Sequence, residues 1–230
     1  MPTYEEYKAR IDSHFNTPNS KPWTWVFYGD SITHGAAHTH GWRSFPEIFN
    51  ERVRYELKQT ADVVINTGVS GQTAFNLCKK EYFERSVARF APDAVFLLIG
   101  INDIVKIEGG AEEFRKNLES IVEQIVALDA VPIIQNYSLI AQSDVPNYVK
   151  RQENLPAYNQ VIEETAAKYN AIFVDHRSHW LAHANTPQLL NLWLGETIHP
   201  GARGHFEMAV TIFKALGIYS EDSVCSHIFN

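Results

Sequence analysis

Two periods alternate along this sequence, and the alternation leaves few folds open. Short apolar runs occur at residues 23–28, 63–65, 94–99, 131–137 and 171–174. Between them lie longer stretches in which apolar side chains return every three or four positions. A short continuous run bounded by turn formers suits a strand buried on both faces, and the longer period suits an amphipathic helix. Strands that alternate with helices through loops of modest length predict an α/β protein, a parallel sheet sandwiched between helix layers.

The helical stretches carry their own boundary signals. Thr3 followed by Glu6 has the form of a capping box, and Tyr7, Ile11 and Phe15 then recur every four residues. Residues 3–16 therefore predict a helix that docks one apolar stripe on the body. A turn-rich stretch over 16–22 ends it. The chain is read as an N-terminal helical segment, 1–22, packed on a single domain, 23–230. Trp42, Phe45, Ile48, Phe49, Val53 and Leu57 trace a helical face from Gly41 onward, and 74–90 reads as a further helix. The clearest helix is 111–128, with Phe114, Leu118, Ile121, Val122, Ile125 and Leu128 on one side. Residues 138–148 read as a loop over the sheet edge, 151–169 as a helix, 176–195 as a broken helix plus loop, and 203–216 as a closing helix. A hydrophobic content of 45% over 230 residues is enough for one sizeable core, and no repeat or interdomain linker is visible.

In an open parallel sheet, reactive groups sit beyond the carboxyl ends of the strands. The first apolar run stops at Gly29, and Ser31 follows in a small polar turn closed by Gly35. A lone serine in such a place is ordinarily a turn or cap residue. Three later segments change that reading: Ser70-Gly71-Gln72-Thr73, Gly100-Ile101-Asn102-Asp103 and Glu196-Thr197-Ile198-His199-Pro200. With Gly29-Asp30-Ser31 they resemble, in order, the four sequence blocks of the SGNH (GDSL) hydrolases, and the likeness runs from roughly residue 23 to 215. The resemblance implies the SGNH-hydrolase type of three-layer α/β/α sandwich, with a flavodoxin-like five-stranded parallel sheet of order 2-1-3-4-5. Such an order sets strands 1 and 3 side by side and brings Ser31 close to Asn102. The resemblance also implies a carboxylic ester hydrolase.

Ester hydrolysis needs a nucleophile, a base for its proton, and donors for the charge that forms on the carbonyl oxygen. Ser31 would supply the hydroxyl. His199 would be the base, because an imidazole can take up and return a proton near neutral pH. Glu196 could bond the second ring nitrogen and fix its tautomer. The family pattern usually has aspartate here. Glutamate is one methylene longer, so either its side chain folds back or it is a solvated surface residue and a backbone carbonyl or water orients His199. The resemblance assigns the oxyanion hole to the Ser31 N–H, the Gly71 N–H and the Asn102 side-chain amide. Gly68 rivals Gly71 for that place, but the Ser70-Gly71-x-Thr73 match favours Gly71. Asp30 and Asp103 read as structural acceptors for loop backbone. His38, His40, Trp42 and Arg43 follow the nucleophile turn and are expected to line the acyl or alcohol pocket, with Trp180 and Trp193 as further candidates.

The expected substrate is a small-molecule or saccharide acyl ester, with acetyl favoured because no long apolar lid stands out and histidine and tryptophan crowd the expected mouth. A lysophospholipase- or thioesterase-type hydrolase of longer acyl chains is the alternative; a metal-dependent hydrolase and a non-catalytic binding module stand behind it. No cofactor and no metal are expected. The sets His34, His38, His40 and His176, His179, His183 have spacings that can ligate zinc, but no neighbouring carboxylate completes either in the local sequence. A net charge of −7 without a basic run argues against nucleic acid as a partner. Cys78 and Cys225 are read as reduced thiols. No apolar stretch reaches the length of a membrane span and no N-terminal apolar leader is present, so a membrane is not expected and the cytoplasm is the default location, or the exterior if a leader has been removed. A homo-oligomer is compatible with everything in the chain.

Overall fold

Strands with apolar side chains on both faces can only be satisfied in the middle of a molecule, and the fold is built outward from them. The structure, a computed structural model, describes residues 1–17, 20–35 and 37–227. Five parallel strands, β1 (Thr24–Gly29), β2 (Val63–Asn66), β3 (Ala94–Leu98), β4 (Val131–Gln135) and β5 (Ile172–Val174), lie in the order β2-β1-β3-β4-β5. The register sets Phe27 beside Phe96 and Gly29 beside Leu98. The Phe27 and Phe96 rings stack at 4.1 Å, and Trp25, Phe45 and Phe49 close around them, all fully buried. Such aromatic pairs add about 0.5–1.5 kcal/mol each beyond the area they bury.

The helices are α1 (Tyr4–Asn16), α2 (Ser31–His34), α3 (Phe45–Glu51), α4 (Ala74–Leu77), α5 (Lys80–Ser86), α6 (Asp103–Lys106), α7 (Gly110–Ala127), α8 (Pro146–Lys168), α9 (His176–His183), α10 (Pro187–Trp193) and α11 (Ala202–Leu216). They form two groups around the sheet. In one, α7 packs on α4 and α8; in the other, α11 packs on α1, α3, α9 and α10. This is the SGNH-hydrolase architecture that the sequence blocks imply. The capping box of α1 is present, and Tyr7 and Ile11 are buried beneath it. At the amino edge of the sheet, the buried Asp62 carboxylate takes N–H donors from Trp23, Trp25 Nε1 and His14 Nε2 at 2.8–3.0 Å, tying α1 to β1. Of the turn-rich stretch 16–22, residues 18 and 19 lie outside the described residues. Among the described residues, no helix is long and apolar enough to cross a membrane.

Several elements differ from the sequence expectation. The second strand is an edge, not a buried strand: among the described residues it pairs with β1 alone, and Val63 is 49% exposed. Residues 74–90 form two short helices and a 3₁₀ turn, broken where Lys79 is extended. Residues 41–44 are not helical. Ser44 caps α3 with Glu47 completing a capping box, and the helix continues as a π-helical turn, Arg52–Glu56. The loop after β4 ends earlier than expected, since Pro146 opens α8, a position where its missing N–H costs nothing.

Candidate active site

Gly29 ends β1 where no side chain fits: a Cβ would stand 2.3 Å from Leu98 O on β3. The chain then turns into α2 with Asp30 as its cap. Asp30 Oδ1 accepts the Ile32 N–H at 2.9 Å, and Oδ2 accepts the Tyr137 hydroxyl at 2.5 Å. Complete burial pushes the Asp30 carboxyl up to about 6, against the pull of those two bonds. Ser31 is the first residue of α2, so its N–H has no carbonyl partner within the helix.

His199 arrives on a loop between α10 and α11 that is pinched shut. Leu194 bridges Pro200, and the Gly195 N–H reaches His199 O at 2.9 Å. The Ala141 N–H bonds Thr197 O at 2.8 Å and ties this loop to the segment after β4. His199 Nε2 lies 2.7 Å from Ser31 Oγ, and Nδ1 is hydrogen-bonded to Glu196 Oε1. A carboxylate only accepts, so Nδ1 carries the proton and Nε2 faces the serine hydroxyl as an acceptor. Burial lowers the His199 pKa from its ordinary value, and the Glu196 hydrogen bond opposes that shift. The tight loop folds the longer glutamate side chain back onto its own histidine.

Two further loops complete the cavity. Gly71 adopts φ +80°, a conformation that favours glycine, and its carbonyl accepts Lys106 Nζ at 2.7 Å. Asn102 Nδ2 donates one hydrogen to Gln72 O at 3.0 Å. The guanidinium of Arg151 bonds Ile101 O at 3.1 Å through Nε and reaches Asn102 Oδ1 at 3.5 Å through Nη2, which turns the amide nitrogen of Asn102 away from it. Asp103 accepts the Ala74 and Phe75 N–H groups at 3.0 and 3.4 Å, clamping α4 to α6; burial raises its carboxyl to about 7. Gly68 belongs to the packing behind the site: a Cβ there would lie 2.5 Å from His34 N and 2.8 Å from the Thr33 carbonyl carbon.

Ser31, Gly71, Asn102 and His199 all line one cavity of about 420 Å³. Glu196 stands behind His199. Of the four residues expected to form the pocket, His38 lines this cavity. His40 and Trp42 instead line a neighbouring groove of about 800 Å³ together with Trp193. Arg43 forms an ion pair with Glu51, and Trp180 is fully buried in the core. The cause is local: Ala37, His40 and Gly41 all have positive φ, so successive side chains of this turn fan out in different directions. Ser70, Lys106, Tyr148 and Arg151 also line the cavity. Lys106 lies one helical turn beyond Asn102, so the third block points toward it, whereas the place of Tyr148 and Arg151 depends on where α8 begins, which the sequence does not mark.

Among the described residues, neither histidine set gathers three ligand atoms. His34 bonds Ser70 Oγ, His176 bonds Gln135, and His179 bonds Glu207. Among the described residues, His38, Glu196 and His199 bring three potential ligand atoms within 4.8 Å of one another. The two rings, however, lie in planes only 5° apart. Each imidazole must hold an ion in its own ring plane, and near-parallel planes offer no common point.

A family model for GDSL-like lipases and acylhydrolases matches residues 27–205. An acetylxylan esterase from Geobacillus stearothermophilus is 28% identical over 217 residues, covering 84% of this chain and 93% of that protein. Among solved structures, a GDSL-like lipase from Parabacteroides merdae superposes with a TM-score of 0.72 at 19% identity, over 87% of this chain and 98% of the other. The acetylxylan esterase Axe2 from Geobacillus stearothermophilus superposes with a TM-score of 0.67 at 20% identity, over 88% and 98%. With its blocks in order at the carboxyl edge of the sheet, the chain belongs to the GDSL-like lipase/acylhydrolase family and is a carboxylic ester hydrolase.

Proposed function

We propose that the protein is a serine esterase that removes small acyl groups, acetyl foremost, from carbohydrate esters through an acyl-enzyme. The observation that carries this reading is the hydrogen-bonded chain Ser31–His199–Glu196, assembled from residues 168 apart in sequence. His199 Nε2 takes the Ser31 proton as Oγ attacks the ester carbonyl, and Glu196 stabilises the imidazolium. The oxyanion is held by the Ser31 N–H, the Gly71 N–H and the hydrogen of Asn102 Nδ2 that Gln72 does not use. Each such donor is worth about 2.7–4 kcal/mol of barrier. Collapse of the tetrahedral adduct expels the sugar alkoxide, which takes the proton from His199 and leaves Ser31 acylated. Water, deprotonated by His199, then releases the acid and restores the hydroxyl.

Cavity size and the acetylxylan esterase relative favour a short acyl group on a sugar. The test is labelling with a fluorophosphonate probe and mapping of the adduct. Label on Ser31 of the wild type and none on Ser31→Ala is the expected result, with a loss of about 10⁴-fold or more in kcat for the variant. Acetyl, butyryl and octanoyl p-nitrophenyl esters then rank chain length; a preference for octanoyl would overturn the acetyl assignment.

A further inference from the structure

His38 lies face to face with the histidine proposed as the base. Their ring centroids are 3.5 Å apart and the planes differ by 5°. His38 Nδ1 is 3.9 Å from Glu196 Oε1, the same oxygen that holds His199 Nδ1. One carboxylate therefore sits at the edge of two stacked imidazoles. The position of His38 is built. The turn carrying it uses positive φ at Ala37, His40 and Gly41, is closed by the His40 N–H on Ala37 O at 3.0 Å, and rests on Gly195, where any Cβ would stand 2.6 Å from His38 O.

We infer that His38 is a positioning residue for His199: its ring braces one face of the base, and its edge lies against the same Glu196 oxygen. The inference rests on the esterase reading for its kinetic consequences, though not for its structural ones. Among the described residues, the charged and titratable groups facing the pair are Glu196 beside both rings, Lys106, Arg151 and Tyr148 across the cavity, and His205 on α11. Burial lowers His205 to about 3, so it stays neutral over the working range. Burial lowers the His199 pKa, and the charge of His38 adds to that shift. The base must be neutral to act, so loss of the opposing ring lets His199 protonate at higher pH and moves the acid limb of the rate profile up.

The experiment compares His38→Ala and His38→Phe with the wild type on p-nitrophenyl acetate, together with a ¹⁵N NMR titration of the His199 ring in resting protein. His38→Ala is expected to lower kcat about three- to tenfold while KM stays within about twofold, because a face of the base is unsupported. His38→Phe keeps a flat ring and is expected to recover most of that kcat. Both variants should show an acid limb at higher pH, and NMR should show His199 binding its proton at higher pH. A raised KM at unchanged kcat would make His38 a substrate wall and overturn the inference, as would an unshifted titration of His199. If the wild type proves inactive on every ester, the esterase reading falls, and the NMR titration still decides whether His38 opposes the proton on His199.

Discussion

Position 196 carries a glutamate that bends back to a histidine three residues ahead, and its side chain is 40% exposed. Solvent screens so open a carboxylate, which limits what its charge contributes to an imidazolium. Glu196→Gln keeps an acceptor for Nδ1 and loses only the charge, whereas His199→Ala removes the proposed proton acceptor itself. We expect His199→Ala to cost about 10³–10⁴-fold in kcat and Glu196→Gln measurably less. Equal losses measured side by side on one ester would contradict that order. The residues that gather at the cavity were readable in advance because the proposed chemistry restricts their type: a hydroxyl, an amide and a glycine in loops that follow strands, and an imidazole in the loop before the last helix. Arg151 and Lys106 were not, because a cation at a cavity wall looks in sequence like any cation on a helix surface.

Between elements, the contact that sets the serine turn against its neighbouring loop runs through Gly68. Asn66 Nδ2 donates to Thr33 O at 2.8 Å, and its Oδ1 accepts the Gly68 N–H at 2.9 Å, so the end of β2 is laced to α2. Gly68→Ala pushes a methyl into backbone atoms of Thr33 and His34 that cannot yield as a flexible side chain would. We expect a loss of about 1–3 kcal/mol in stability, read by urea denaturation, with a fall in kcat because α2 carries Ser31. A variant with wild-type stability and kcat would show the turn to be soft. The elements whose type was legible were those with a strong period, α1, α7 and β3. Those misjudged depended on neighbours. Apolarity of β2 does not reveal that, among the described residues, no strand pairs with its outer edge, and the start of α8 hides behind a proline that reads equally as loop.

Across the whole molecule, the sheet separates two tasks. Its carboxyl edge holds the cavity, and its amino edge holds the Asp62 cluster that fastens α1. Asp62→Ala leaves the indole N–H of Trp25, the Trp23 N–H and His14 without their buried acceptor. Such a loss costs about 3–5 kcal/mol, and a lower thermal midpoint is expected while kcat of the folded protein at low temperature stays near wild type. A kcat that fell in step with stability would mean that the two edges are coupled. The strand order was legible as a whole because right-handed crossovers and the family blocks allow little else. The outward fan of His38, His40, Trp42 and Arg43 was not, since side-chain direction in a turn follows φ values that no period records.

The loop between α10 and α11 closes on itself through Leu194 and Pro200 before it meets the serine. Glu196 and His199 therefore travel as one cassette, which meets the rest of the cavity at the Ser31 hydroxyl, the His38 ring and the Ala141 N–H. Changes that tilt α10 or α11 displace both together and leave their mutual aim intact. What drift in the outer helices can spoil is one rigid offset, the distance from His199 to the Ser31 hydroxyl.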